Sequence, residues 1–174
     1  MNGFLIFLGL LIIIIIGIYN SIVRLKHNVD KSESAIDVYL QQRFDLIPNL
    51  VEVTKSYMNY ESDILTKIAK LRTAYKENKD VNASNELNNQ YNSIMALVEN
   101  YPDLKANEQF LKLQKSLVKI ESQLQAARRI YNNDVTKFNT KITTFPNNLI
   151  ASLFGFKERD LFVLEGEDKV DITF

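Results

Sequence analysis

The sequence predicts an all-α protein: an N-terminal transmembrane helix followed by an antiparallel, up-and-down four-helix bundle. Three observations carry that expectation. Residues 4–18 form an uncharged apolar run with five consecutive isoleucines, Ile12 to Ile16. Apolar residues then recur every three or four positions through most of the remaining chain, the period of a helix with one buried face. Glycine and proline number only 5 and 3 in 174 residues, so few positions interrupt a helix.

The run comprises Phe4, Leu5, Ile6, Phe7, Leu8, Leu10, Leu11, Ile12, Ile13, Ile14, Ile15, Ile16 and Ile18. A helix needs roughly 17–25 apolar residues to cross a bilayer core. Extension from Gly3 through Tyr19, with Ile22 and Val23 added, reaches that range. A cleaved signal peptide would carry a basic n-region and a small-residue cleavage site. Met1-Asn2-Gly3 has no basic side chain and no such triplet follows, while the absence of cysteine leaves nothing to acylate. The expectation is an uncleaved single-pass anchor over residues 1–21. Arg24, Lys26 and Lys31 follow the run and no basic side chain precedes it. The positive-inside rule then puts the C-terminal domain on the cytoplasmic face of the cell membrane.

Residues 22–156 are the expected bundle and 157–174 a C-terminal tail, acidic and mobile from Glu165 onward. The first bundle helix carries Ile22, Leu25, Val29, Ile36 and Leu40 on one face. Asp45 is the expected cap of a second helix with Pro48 in its first turn, where the missing N–H costs nothing. Its stripe runs Ile47, Leu50, Thr54, Tyr57, Glu61, Ile64, Ile68, Leu71 and Tyr75. Lys79-Asp80-Val81-Asn82 reads as a turn, with Asn82 or Ser84 starting a third helix on Leu87, Tyr91, Ile94, Val98 and Tyr101. Pro102 ends that helix, because proline disfavours the helical region for the residue before it. Asn107 is the expected N-cap of the fourth helix, with Glu108 in its first turn. Its stripe (Phe110, Leu113, Leu117, Ile120, Leu124, Ala127, Tyr131, Val135, Phe138, Ile142, Phe145) is long enough for a bundle or coiled coil, and Pro146 closes it. Short connections make neighbours antiparallel.

Charge and residue inventory narrow the function. Lysine plus arginine equal aspartate plus glutamate at 21 each, which removes the electrostatic footprint of a nucleic-acid binder. One histidine, His27, cannot supply the Glu-x-x-His pairs of a di-metal bundle; placed just beyond the anchor, it reads as a solvated interfacial residue. Ser56 and Ser116 have no histidine base, and no glycine-rich phosphate loop is present. Glu33 and Asp37 share a helix face beside Lys31 and read as solvated charges. No catalytic, cofactor-binding or metal residues, no cofactor and no small-molecule substrate are expected.

Two groups stand out. Glu61 falls on an apolar stripe; it is either a buried binding or proton-sensing carboxylate or one half of an ion pair with Arg43, Arg128 or Arg129 that fixes bundle register. The ion pair ranks first, since structural pairs occupy such positions. Phe145, Leu149, Leu153, Phe154 and Phe156 form an aromatic and aliphatic patch that alternating helices return towards the bilayer. Residues 147–154 read as a short amphipathic helix, lying either in the interface or over the open end of the bundle. The covering role ranks first, because Lys157 and Arg159 offer little attraction for anionic lipid.

Three stretches carry a family resemblance. Residues 34–51 (SAIDVYLQQRFDLIPNLV), residues 101–110 (YPDLKANEQF), and the group 126–132 (AARRIYN) with Phe145-Pro146-Asn147-Asn148 and Phe154-Gly155-Phe156 closely resemble the signatures of the bacterial LemA family, in the right order. The resemblance implies a membrane-anchored antiparallel helical bundle and no defined biochemical activity. Family members commonly carry His-Glu in the second helix where this chain has Tyr60-Glu61. The partners expected are the lipid bilayer and either an unknown protein or further copies of the chain. The expected function is a non-enzymatic, membrane-anchored scaffold or adaptor; the alternative is a self-assembling protein that organises or shapes the membrane.

Overall fold

The computed structural model describes residues 2–57, 63–78 and 81–162. Six helices follow one another: α1 (Asn2–Lys55), α2 (Asp63–Asn78), α3 (Val81–Val98), α4 (Pro102–Lys105), α5 (Glu108–Thr143) and α6 (Asn147–Leu153). No strand occurs among the described residues. The chain divides into two compact units, one built from residues 1–35 and 126–162, the other from residues between 36 and 125.

The apolar run and the first expected bundle helix are one element. α1 is 54 residues long, and its first turns are apolar enough to cross a membrane, with a mean hydropathy of 2.7 over an 18-residue window that is 6% buried. The side chains become covered from Ile22 onward: Ile22 and Val29 in the first unit, and Ile36, Leu40, Phe44, Ile47, Leu50 and Val51 in the second, are all nearly inaccessible.

The expected break at Asp45–Pro48 does not occur, and Pro48 lies inside α1. Proline in a helix interior removes one backbone hydrogen bond and costs about 3 kcal/mol. Burial outweighs that cost, because Phe44, Ile47, Leu50 and Val51 lie within one turn of Pro48 and are wholly enclosed; each such side chain contributes about 1.5–3 kcal/mol. Asp45 is not a cap. Its carboxylate accepts from Gln41 Nε2 at 3.0 and 3.1 Å and pairs with Arg72 of α2 at 2.9 Å. The helix stops instead at Lys55, where Tyr57 N–H bonds back to Thr54 O in a turn. The stripe expected on one helix is therefore divided: Ile47, Leu50 and Thr54 belong to α1, Ile64, Ile68, Leu71 and Tyr75 to α2, and Tyr57 to neither. Glu61 lies outside the described residues.

Around Pro102 the chain makes two turns rather than one. α3 ends at Val98, Asn100 and Tyr101 N–H close turns onto Leu97 and Val98, and Pro102 opens the single turn α4, whose Leu104 is fully buried. Asn107 Oδ1 accepts from the N–H groups of Gln109 and Phe110 at 2.9 and 3.0 Å, capping α5. The α5 stripe is buried from Phe110 to Ile142, apart from half-buried Leu113. Phe145 falls beyond the helix end and is 75% exposed. Its peptide bond to Pro146 is cis, and Gly155 takes a left-handed φ of 71° after α6.

Because Pro48 interrupts a helix that burial holds continuous, Pro48→Ala should stabilise the full chain by about 2 kcal/mol, the helix-interior penalty less the entropy that proline removes from the unfolded state. Denaturant unfolding in detergent measures it. A neutral or destabilising effect would mean that the helix starts at Pro48.

Candidate functional site

In the first unit the chain after α6 is held along α5 by side chains that read its backbone. Asn139 Nδ2 donates to Arg159 O at 2.8 Å, and its Oδ1 accepts from Arg159 N–H at 3.0 Å. One heptad earlier, Asn132 makes the same pair of bonds with Phe162, at 3.0 and 2.8 Å. Tyr131 donates its hydroxyl to Asp160 O at 3.1 Å. Five side-chain bonds thus hold residues 159–162, and the Arg159 guanidinium reaches α1 to pair with Glu33 at 2.8 Å and Asp30 at 3.3 Å. Arg128 is buried with its guanidinium 4.6 Å from the Phe162 ring centre. Nearby, Tyr19 of α1 meets Phe154 and Phe156, with ring centres 4.7 and 5.9 Å away.

In the second unit the notable group is Arg43. Its side chain is 5% exposed and pairs with Glu121 of α5, while its guanidinium carbon lies 5.7 Å from the centre of the Tyr91 ring. An open cleft of about 290 Å³ adjoins it, lined by Arg43, Asn88, Tyr91, Asn92, Leu117, Val118 and Glu121. Arg43 Nε and Asn88 Oδ1 have no hydrogen-bond partner among the described residues. Burial lowers the Arg43 pKa from its ordinary value, with Glu121 and Tyr91 opposing the shift, and burial raises that of Tyr91. Arginine stays charged even so, so the cleft wall carries a fixed, largely neutralised Arg43–Glu121 pair beside Tyr91. Among the described residues no group of three or more His, Cys, Asp or Glu side chains is placed to hold a metal.

The expected site residues distribute as follows. Of the anchor residues, Phe4 to Ile16 stand in the exposed part of α1, with Ile15 half-buried, and Ile18 is half-buried too. Arg43 has Glu121 as its described partner, Arg128 packs on Phe162, and Arg129 is exposed. Phe145, Leu149, Leu153 and Phe154 are exposed and Phe156 half-buried. Two surface charges also have distant partners: half-exposed Glu33 pairs with Arg159, and the half-exposed Asp37 carboxylate accepts the Tyr75 hydroxyl at 2.8 Å. His27 is exposed. Sequence reasoning missed Glu121 and Asn139, quoted Asn132 only within a motif, and read Arg159 only as a weak attractor of lipid. The asparagines had a local signal: each directly follows a core aromatic (Tyr131, Phe138) in a helix interior, where asparagine is a poor helix former.

The family model of the LemA family matches residues 32–174, running through the tail that the sequence signatures did not reach. The chain is 27% identical to Protein LemA of Metamycoplasma hominis, an alignment covering 97% of this chain and 80% of that protein. It is 24% identical to Magnetosome protein MamQ 2 of Paramagnetospirillum magneticum and 22% identical to Magnetosome protein MamQ of Magnetospirillum gryphiswaldense. Both of these alignments cover 83% of this chain and 64% of the relative, so the chain spans under two thirds of the magnetosome proteins.

Glu121→Ala leaves the Arg43 guanidinium buried and unpaired and should cost about 3 kcal/mol. Glu99→Ala, which removes the partner of exposed Lys105, should cost less than about 1 kcal/mol; denaturant titration of the full chain in detergent compares the two. Burial also raises the Tyr131 pKa, Glu33 adding to the rise and Arg159 opposing it. A raised folded-state value favours the neutral hydroxyl, so this contribution is complete below about pH 10 and is lost as pH climbs through the folded pKa. Tyr131→Phe should lower stability at neutral pH by about 1 kcal/mol through the lost hydrogen bond and should flatten the alkaline fall in melting temperature. The Tyr91 share of that fall should remain.

Proposed function

The chain belongs to the LemA family, and from that premise we propose that it is a non-enzymatic, single-pass membrane protein that acts as a scaffold or adaptor, presenting an antiparallel four-helix bundle at the cytoplasmic face. Membrane association rests on the apolar run of α1, which the protein itself leaves uncovered. The bundle reading takes α1 beyond the run, α2, α3 and α5 as its four members. Cross-helix pairs support it: Asp37 with Tyr75, Asp45 with Arg72, Lys67 with Glu86, and Arg43 with both Tyr91 and Glu121. On α1 and α2 the paired residues run in opposite order, as antiparallel neighbours require. Arg24, Lys26 and Lys31 just after the run support the cytoplasmic assignment.

The observation that carries the adaptor reading lies in the second unit. Leu111 and Val118, seven residues apart on α5, are 46% and 59% exposed. They are two outward apolar anchors, one heptad apart, on a helix whose opposite face is the core, a spacing that suits docking of a partner helix. The same anchors support the second reading, lateral self-assembly that organises the membrane.

Photo-crosslinkers placed at Leu111 and Val118 of the full chain in native membranes, followed by mass spectrometry, separate these readings. A reproducible, near-stoichiometric foreign protein is the expected outcome. A ladder of self-crosslinks would replace the adaptor with the assembly, and no crosslink at either position would remove both.

A further inference from the structure

Phe145, Leu149, Leu153 and Phe154 stand together where α5 gives way to α6, and they are 75%, 62%, 75% and 51% exposed. They seal no core. The buried members of α6 are Asn147 and Ala151 and Ile150 is half-buried, while Leu149 and Leu153 turn outward. Leu149 and Leu153 share one face at a spacing of four, flanked by Phe145 before the helix and Phe154 after it.

What adjoins this corner identifies its occupant. The ring centre of Phe154 lies 4.7 Å from that of Tyr19, and Tyr19 directly follows Ile18, the last residue of the apolar run. Tyrosine at the end of a spanning segment sits at the level of the lipid headgroups, ring towards the tails and hydroxyl towards water. Phe154 therefore shares the depth of the membrane interface, and α6 with it. Arg159 is committed to Asp30 and Glu33 and adds nothing to lipid attraction. Lys137 and Lys141 do: with Leu25 and Asn147 they border an open cleft on the last turns of α5, beside the start of α6, where ammonium groups can meet lipid phosphates.

We propose that α6 and its flanking phenylalanines form a second, interfacial contact with the bilayer that α1 spans. Leu149, Leu153, Phe145 and Phe154 enter the boundary between headgroups and acyl chains, and Lys137 and Lys141 face the phosphates. The contact goes beyond the scaffold reading and rests on α1 being membrane-spanning. A spanning helix alone leaves a protein free to rotate about its axis; a second contact on one side removes that freedom and gives the membrane-proximal unit a defined face towards the lipid.

The test uses the full chain reconstituted in vesicles of phosphatidylethanolamine and phosphatidylglycerol. The chain has no native cysteine, so single-cysteine variants L149C, L153C, I13C and K115C can each carry an environment-sensitive fluorophore. Blue-shifted emission, loss of quenching by aqueous iodide and strong quenching by lipids spin-labelled near the headgroup are expected at 149 and 153. Position 13 should respond to labels deep in the acyl chains, and position 115, exposed on α5, to iodide alone. If 149 and 153 behave like 115, or are shielded from both quenchers by protein, the α6 contact is overturned while position 13 still reports the anchor. If position 13 is itself open to iodide, the spanning reading fails first and takes the α6 contact with it.

Discussion

Apolar side chains run along α1 from Phe4 to Val51, and the protein covers only those from about Ile22 onward. The rest of the architecture answers to that division. An uncovered side chain of leucine or isoleucine size leaves about 1.5–3 kcal/mol unrealised in water, so the run before Tyr19 favours a hydrocarbon surrounding. In such a surrounding the backbone has no water to bond with, and an unbroken helix is the way a single segment satisfies every N–H and C=O. The same helix continues to Lys55, past a proline, because enclosure of Phe44, Ile47, Leu50 and Val51 outweighs one lost hydrogen bond.

Polar side chains placed against these apolar faces specify which segments meet. Arg43 and Glu121 join α1 to α5 within the second unit. A buried pair adds little net stability, since desolvation offsets attraction, yet a mispaired register would strand the guanidinium. Asn132 and Asn139 act differently. They bond to backbone, so they hold the segment at 159–162 in position whatever side chains it carries, and Arg159 then ties that segment to Glu33 and Asp30 of α1 within the first unit. These contacts define surfaces and positions within each unit.

Much of this was legible because it depends on local pattern. Period-three-and-four apolar residues marked nearly every buried position of α5, and Asn107 caps that helix as a side-chain acceptor should. The break expected at Asp45–Pro48 failed for an identifiable reason: a cap residue followed by proline is a strong local signal, and local signals yield when burial on both sides is complete. The partners of half-exposed Glu33 and Asp37, Arg159 and Tyr75, are 126 and 38 residues away. Nothing near them in sequence announces a partner.

By itself the sequence determined what short-range chemistry controls: an all-helical chain, an uninterrupted apolar run of membrane-spanning length, the helix faces that turn inward, and membership of a family through ordered motifs. Tertiary structure decided what depends on residues meeting from distant positions. It joined the apolar run to the following helix as one element, gave Arg43 its partner in Glu121, folded residues 159–162 back along α5, and brought Phe154 against Tyr19. Helical periodicity is written within a few turns and can be read along the chain. Pairing across a hundred residues is chosen by the simultaneous burial and hydrogen bonding of many groups, which no local stretch contains.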